Sequence, residues 1–226
     1  MTDKQKYREV AITSDGSATL FVPFLDEHYH SFHGAIQEAK HVFIEAGLKY
    51  YIEKKQPETI HVFEMGFGTG LNACLTVEAI QGSAVKVIYH AIEAHPLNMQ
   101  EVESLTFFED NIELRAIYLT MHEAEWDKPV QITDNFIINK HIGYLEDWTT
   151  DVLMDIVYYD AFAPSAQPHL WTSDIFEKIY SMTANDGVLV TYCAKGVVKR
   201  TLKAIGWNIE KLPGPPGKRE MTRANK

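Results

Sequence analysis

Cysteine is scarce in this chain of 226 residues: Cys74 and Cys193 are the only two. Thiols so far apart in sequence match neither a zinc-ligand spacing nor a disulfide framework. A reducing cytoplasm is therefore the expected location. Cys74 falls in a helical pattern and Cys193 ends a strand pattern, so both read as buried thiols. No apolar run approaches the ~18 residues of a membrane span, and the polar start, Met1 to Lys6, carries no apolar signal region. Basic charge is also short, with 21 Lys and Arg against 31 Asp and Glu and a net charge of −10. That balance weighs against broad phosphate-driven binding of nucleic acid but leaves room for a local basic patch. No G-K-[ST] follows the glycine turn, which excludes a phosphate loop. There is no internal repeat and no low-complexity segment.

What is present is an ordinary globular balance, 46% hydrophobic and 23% charged, enough at this length for one large core. The chain is organised around His61-Val-Phe-Glu-Met-Gly-Phe-Gly-Thr-Gly-Leu-Asn72. An apolar run ends in an acid, three glycines follow at every second position, and a helical pattern runs from Leu71 to Ile80. This predicts a buried strand, a tight turn and a helix. Glycine admits positive φ and lets a ligand approach the main chain, while the helix N-terminus offers unpaired N–H groups. Gly66 and Gly68 fit the dinucleotide fingerprint G-x-G-x-x-G, but Leu71 stands at its third glycine position, which disfavours a nicotinamide dehydrogenase. G-x-G-x-G with Glu64 two residues ahead is typical of class I methyltransferases that bind S-adenosylmethionine.

The remaining pattern alternates strands and helices. Strands are expected at 9–12 and 18–22 as a hairpin turning at 13–17, then at 61–64, 85–93, 135–139, 152–160, 187–193, 207–211 and 218–223. Helices are expected from Ala35 with a stop at Gly47 and a further turn or two up to Lys55, then at 71–80, 97–105 opened by Pro96, 112–124, 171–182 and 195–205. The segment 143–151 reads as a turn or short helix. Such alternation means a mostly parallel sheet covered on both faces. The expected architecture is a single α/β methyltransferase domain, a Rossmann-like core over 57–226 with a hairpin-and-helix addition over 1–56. Glu93, at the end of the second core strand, is placed to accept ribose hydroxyls. Asp160 ends the fourth core strand beside the glycine turn, where it can orient an amine nucleophile or accept its proton. Phe162 can pack on a planar base. His28, His30 and His33 are close in sequence but irregularly spaced, so a ligand-contacting loop is preferred to a metal site. Lys195, Lys199, Arg200, Lys203 and the stretch Lys211–Arg223 make the C-terminal part basic, a candidate RNA-backbone surface.

Four blocks together resemble a known family: Glu64–Asn72; Ile92-Glu-Ala-His-Pro-Leu97; Asp160-Ala-Phe-Ala-Pro164 with Pro168 and Trp171; and Gly217-Lys-Arg-Glu-Met221. Weaker likeness lies in the 26–29 loop and the 42–47 helix. The family is the tRNA 5-methylaminomethyl-2-thiouridine methyltransferase, found alone or fused to an FAD-dependent oxidase domain. The resemblance implies methyl transfer from S-adenosylmethionine to the exocyclic amine of 5-aminomethyl-(2-thio)uridine at the tRNA wobble position. It implies cofactor contacts from Glu64, Gly66, Phe67, Gly68, Thr69, Gly70, Asn72, Glu93 and Asp160, with Asp160 at the reaction centre. Substrate contacts are implied for Tyr29, Phe162, Pro164, Lys218 and Arg219. No metal is expected. The chain looks like the stand-alone form, with a separate oxidase acting on the same tRNA. Two departures stand out. The segment Asn139-Lys140-His141-Ile142 has no carboxylate where the family usually has an acid near the adenine, so a backbone N–H is the alternative contact. Ser165-Ala166-Gln167 lacks the lysine common after Pro164. A methyltransferase of the same fold acting on a small molecule or protein is the alternative that the acidic balance permits. A non-catalytic binding module is the other, disfavoured by the retained Glu64, Glu93 and Asp160.

Overall fold

The computed structural model describes residues 7–13, 16–30 and 34–226. Ser14 and Asp15 of the expected hairpin turn, and His33, lie outside them. The hairpin itself is formed by β1 (Glu9–Ile12) and β2 (Ala18–Val22), antiparallel from Glu9 opposite Phe21 to Ile12 opposite Ala18. The following segment, read as loop, contributes a two-residue strand β3 (Glu27–His28) to the same small sheet.

One long helical rod follows. It begins as α1 (Ala35–Ala39), continues as a π-helical stretch (Lys40–Lys49) and ends as α2 (Tyr50–Lys55). Gly47 does not stop it. A Cβ at Gly47 would lie 3.0 Å from Val190 Cγ2 and 3.3 Å from Tyr158 Cε1, so glycine is there to let the rod lie on the sheet. The stop is Gln56, in the left-handed region at φ 48°. A side chain absent for packing reasons and one absent for turning reasons look alike in sequence.

The core alternates β4 (Thr59–Met65), α3 (Leu71–Ile80), β5 (Lys86–Glu93), α4 (Met99–Ser104), α5 (Ile112–Glu123), β6 (Pro129–Thr133), β7 (Phe136–Ile142), β8 (Met154–Tyr159), α6 (Ser173–Met182), β9 (Thr183–Thr191), α7 (Gly196–Ile205), β10 (Asn208–Pro213) and β11 (Glu220–Asn225). The eight strands are ordered β10-β11-β9-β8-β4-β5-β7-β6. β4, β5, β7, β8 and β9 pair in parallel, whereas β11 and β6 run antiparallel to their neighbours. β6 is a strand that the sequence pattern did not reveal. Pro96 does not open α4 either. The helix starts at Asn98, whose side chain accepts from the Glu101 backbone while the Glu101 carboxylate accepts from the Asn98 backbone, a capping box that sets the N-terminus two residues beyond the proline.

The sheet faces two cores. One holds Val62, Tyr89, Phe136 and Tyr158 under the helical rod, α3 and α5. The other holds Phe63, Val157, Trp171 and Phe176 under α6 and α7. Cys74 and Cys193 are both buried and free, as expected. No helix among the described residues is long and apolar enough to cross a membrane.

On the second face, His61, His90 and His141 from β4, β5 and β7 stack side by side, with ring centroids 5.9 and 6.0 Å apart, and Trp148 closes over His141 at 5.1 Å. His90 is buried, and neither ring nitrogen has a hydrogen-bond partner. Burial first, and then the neighbouring His141 and His61, push it down to about 4. His122 on α5 is also pushed down to about 4, mainly by burial. The unfolded chain protonates both near pH 6.5. Their contribution to stability is therefore complete above about 6.5, falls as the pH drops, and is fully lost only near pH 4. Each contributes a slope of up to about 1.4 kcal/mol per pH unit in that window. We expect His90→Phe to flatten the dependence of the urea midpoint on pH between these limits by about one histidine's share; an unchanged slope in paired denaturation curves would refute the assignment.

Candidate active site

β4 stands at the point where chain order reverses, with β5 on one side and β8 on the other. The carboxyl ends of parallel strands diverge at such a point and leave a crevice. Here the crevice is a cavity of about 680 Å³, a size that suits a nucleoside cofactor. Glu64, the glycine turn, Asn72, Glu93 and Asp160 all border it, brought together from β4, α3, β5 and β8.

Asn72 in the first turn of α3 joins the acids. Its Nδ2 donates to Glu64 Oε1 at 2.8 Å and to Asp160 Oδ2 at 2.9 Å. Glu64 is buried, which pushes its carboxyl well above the usual range despite the Asn72 bond; the charge of Asp160 adds to the shift. Asp160 is pushed up to about 7. Burial is the main cause, the Asn72 hydrogen bond opposes it, the charge of Glu38 adds to it and Lys218 again opposes it. A carboxylate at that level can take a proton near neutral pH.

Glu93 has a second task. Its Oε2 accepts from the Gly68 backbone N–H at 2.9 Å and its Oε1 from the His95 N–H at 2.7 Å. The glycine turn is thus held by the acid assigned to the ribose, and the remaining lone pairs of that acid border the cavity. Gly66, Gly68 and Gly70 all have positive φ, at 85°, 50° and 70°, but they serve different neighbours. Gly66 has open space beside it. A Cβ on Gly68 would meet the Tyr29 ring at 3.2 Å, and one on Gly70 would meet His122 Nε2 at 2.7 Å. Gly70 does not border the cavity; it makes room for His122, whose Nε2 lies 3.0 Å from the Thr69 carbonyl. Phe67 and Thr69 both border the cavity, with Phe67 leaning on His122.

The segment after β8 is fixed from two directions. Trp171 Nε1 donates to the Phe162 carbonyl at 2.8 Å, and the Tyr192 hydroxyl donates to the Ala161 carbonyl at 2.8 Å. This accounts for the tryptophan of the D-x-F-A-P block. Phe162 borders the cavity edge-on to Tyr29, with centroids 5.1 Å apart. Pro164 and Arg219 do not border it, whereas Lys218 does. Arg219 is exposed on the loop between β10 and β11.

The adenine end differs from expectation. Asn139–Ile142 stay outside the cavity wall, which is formed instead by Gly143, Tyr144, Leu145 and Glu146. Lys140 points into the first core. Its ammonium donates to the His122 carbonyl at 2.8 Å and lies 4.5 Å from the Trp126 ring centroid; burial pushes it down to about 8. Glu146 brings a carboxylate to the wall four residues beyond Ile142.

The histidines of the 28–33 loop diverge. His28 packs on Phe21, and His30 bridges Thr19 and Thr69. Among the described residues no group of three His, Cys, Asp or Glu side chains suits a metal.

The N-terminal sheet supplies a residue that no sequence signal marked. Arg8 donates to the Tyr29 hydroxyl at 3.0 Å, to Glu101 at 3.1 Å and to the His95 carbonyl at 2.6 Å. It thereby holds Tyr29 against Gly68. Burial and the nearby Glu93 carboxylate keep the Tyr29 hydroxyl protonated, raised from its ordinary value.

The strand order and the acid-and-glycine crevice define the class: the fold is that of a class I, S-adenosylmethionine-dependent methyltransferase. Residues 135–226 match the model of a family described as S-adenosyl-L-methionine-dependent methyltransferase. Over 96% of its length the chain is 28% identical to the tRNA 5-methylaminomethyl-2-thiouridine biosynthesis bifunctional protein MnmC of Pseudoalteromonas atlantica, and over 98% it is 29% identical to that of Burkholderia multivorans. It spans about a third of the length of these relatives, 33% and 35%. The crystal structure of MNMC2 from Aquifex aeolicus shares the fold, with a TM-score of 0.82 at 24% identity over 97% of this chain and 70% of that one. The chain is thus similar to MnmC proteins over nearly its whole length. Gly68→Val should displace Tyr29 and strain a backbone at φ 50°, lowering S-adenosylmethionine affinity by about tenfold or more. Calorimetric titration showing unchanged affinity would remove the glycine turn from the site.

Proposed function

We propose that the chain transfers a methyl group from S-adenosylmethionine to the primary amine of 5-aminomethyl-(2-thio)uridine at the tRNA wobble position. The observation that carries this reading is Asp160: a half-buried carboxyl pushed up to about 7, on the wall of a nucleoside-sized cavity, beside an aromatic side chain that can take a base. The relatives named for 5-methylaminomethyl-2-thiouridine biosynthesis support the same substrate.

The residues fit the cofactor. Glu93 has free lone pairs for two ribose hydroxyls, the glycine turn leaves the main chain approachable, and Gly143–Glu146 offer a carboxylate and backbone groups to the base. S-adenosylmethionine supplies an already electrophilic methyl group, so the protein's contribution is alignment, exclusion of water and handling of a proton. The acceptor amine attacks only when neutral. Asp160 faces the cavity, with Asn72 fixing the orientation of its carboxylate, and accepts the proton that the amine loses. Tyr29 and Phe162, edge-on to each other, border the space for the uracil ring. Exposed cations, Lys195, Arg200 and Lys203 on or beside α7, Lys211 on β10 and Arg219 next to Lys218, can meet tRNA phosphates. A separate oxidase delivering the aminomethyl substrate, and action in the cytoplasm, belong to the same reading.

Mass spectrometry of wobble nucleosides, after incubating the purified protein with labelled S-adenosylmethionine and tRNA that lacks the methyl group, tests the reaction directly. Methylated 5-aminomethyluridine is expected; no label in that nucleoside would sink the proposal. Asp160→Asn keeps the Asn72 contact but removes the base. It should lower turnover by about a hundredfold or more while S-adenosylmethionine affinity changes only a few-fold. An equal loss of both would reassign Asp160 to cofactor binding.

A further inference from the structure

The cavity wall near Asp160 contains a charge pair that joins the N-terminal addition to the β10–β11 loop. Glu38, on α1, borders the cavity although it comes from the N-terminal addition. Its Oε2 lies 2.7 Å from Lys218 Nζ, and the two side chains are only 15% and 32% exposed. The same ammonium stands 4.1 Å from the centroid of the Tyr192 ring. Tyr192 is itself tied to the carbonyl next to Asp160. Lys218 is thus fixed by a carboxylate on one side and an aromatic face on the other. Partial shielding makes such a pair stronger than a surface one.

We infer that Glu38 is a positioning residue for the acceptor amine: it holds the Lys218 ammonium against Tyr192 and away from Asp160, so that a fixed cation, and not a quenched base, faces the incoming amine. The inference rests on the amine-methylation reading. Lysine is long and flexible. Without Glu38, Lys218 is free to turn to Asp160, on whose carboxyl its charge already acts, and a direct pair there would remove the proton acceptor. Held in place, Lys218 disfavours the ammonium form of the substrate. The amine then passes its proton to the Asp160 carboxylate, its lone pair forms the new N–C bond as the donor's S–C bond breaks, and Asp160 releases the proton to water. The groups facing Asp160 are Glu64, Tyr89, Asn72, Tyr192, Glu38 and Lys218. Of these, only Lys218 is a cation.

The test is kcat/KM against pH on tRNA bearing 5-aminomethyluridine, for the wild type, Glu38→Gln, Lys218→Met and the double variant. Glu38→Gln should lower the neutral-pH rate by roughly tenfold and move the acid limb to lower pH, because Asp160 loses a negative neighbour and gains a cation. Lys218→Met should move that limb to higher pH. The double variant should be faster than Glu38→Gln alone, a sign of coupling that a merely structural glutamate would not produce. S-adenosylmethionine affinity should stay within a few-fold of wild type throughout. Unshifted profiles with additive losses would overturn the inference while leaving the methylation reading intact. A wild type that does not turn over this tRNA overturns that reading, and the inference with it. If Glu38→Gln does not fold, the direction of the Lys218→Met shift decides alone.

Discussion

One amide ties the site together. Asn72 Nδ2 donates to both Glu64 and Asp160, and through those two bonds the ends of β4, α3 and β8 are locked to one another. Burial holds both carboxyls above the ordinary carboxylate range, and the Asn72 bonds oppose that shift. The amide therefore steadies two acids that would otherwise be harder still to keep charged so close together.

The glycine turn depends on a second set of contacts from outside the core. Glu93 holds the Gly68 N–H, Tyr29 covers the face where a Gly68 side chain would be, and Arg8 holds Tyr29 through its hydroxyl. The N-terminal addition is therefore part of the site. The segments flanking its small sheet bring Arg8 and Tyr29 to the glycine turn, and its helix brings Glu38 to the cavity wall near Asp160. Much of the cavity wall above the generic fold comes from residues ahead of the first core strand.

Particular residues show how far local pattern reaches. The strand, turn and helix around Glu64–Asn72 were legible because a short apolar run ending in an acid, glycine spacing and a helical pattern follow directly on one another. α3 runs over the predicted Leu71–Ile80. The acids at the ends of β5 and β8 were legible because a strand ending in a carboxylate is itself a local signal. Gly47, Pro96 and β6 were misread or missed for a shared reason. Each depends on what it packs against: Val190 and Tyr158 for the glycine, a capping box for the start of α4, and the register of β7 for β6. Trp171 was noticed as part of a block, but its hydrogen bond to the Phe162 carbonyl, which explains it, spans nine residues of irregular chain.

By itself the sequence determined the class of fold, the glycine turn and the two strand-end acids, since each is written in residues close together along the chain. Only the tertiary structure decided which neighbour each glycine serves, that Gly143–Glu146 and not Asn139–Ile142 form the wall, and that Arg8 and Glu38 border the same cavity as Lys218. Those assignments join side chains from distant elements: Glu38 and Lys218 meet across 180 positions because α1 and the β10–β11 loop border the same crevice. A single sequence carries the periodicity that builds elements, but the pairing of charges across a cavity exists only once those elements are packed.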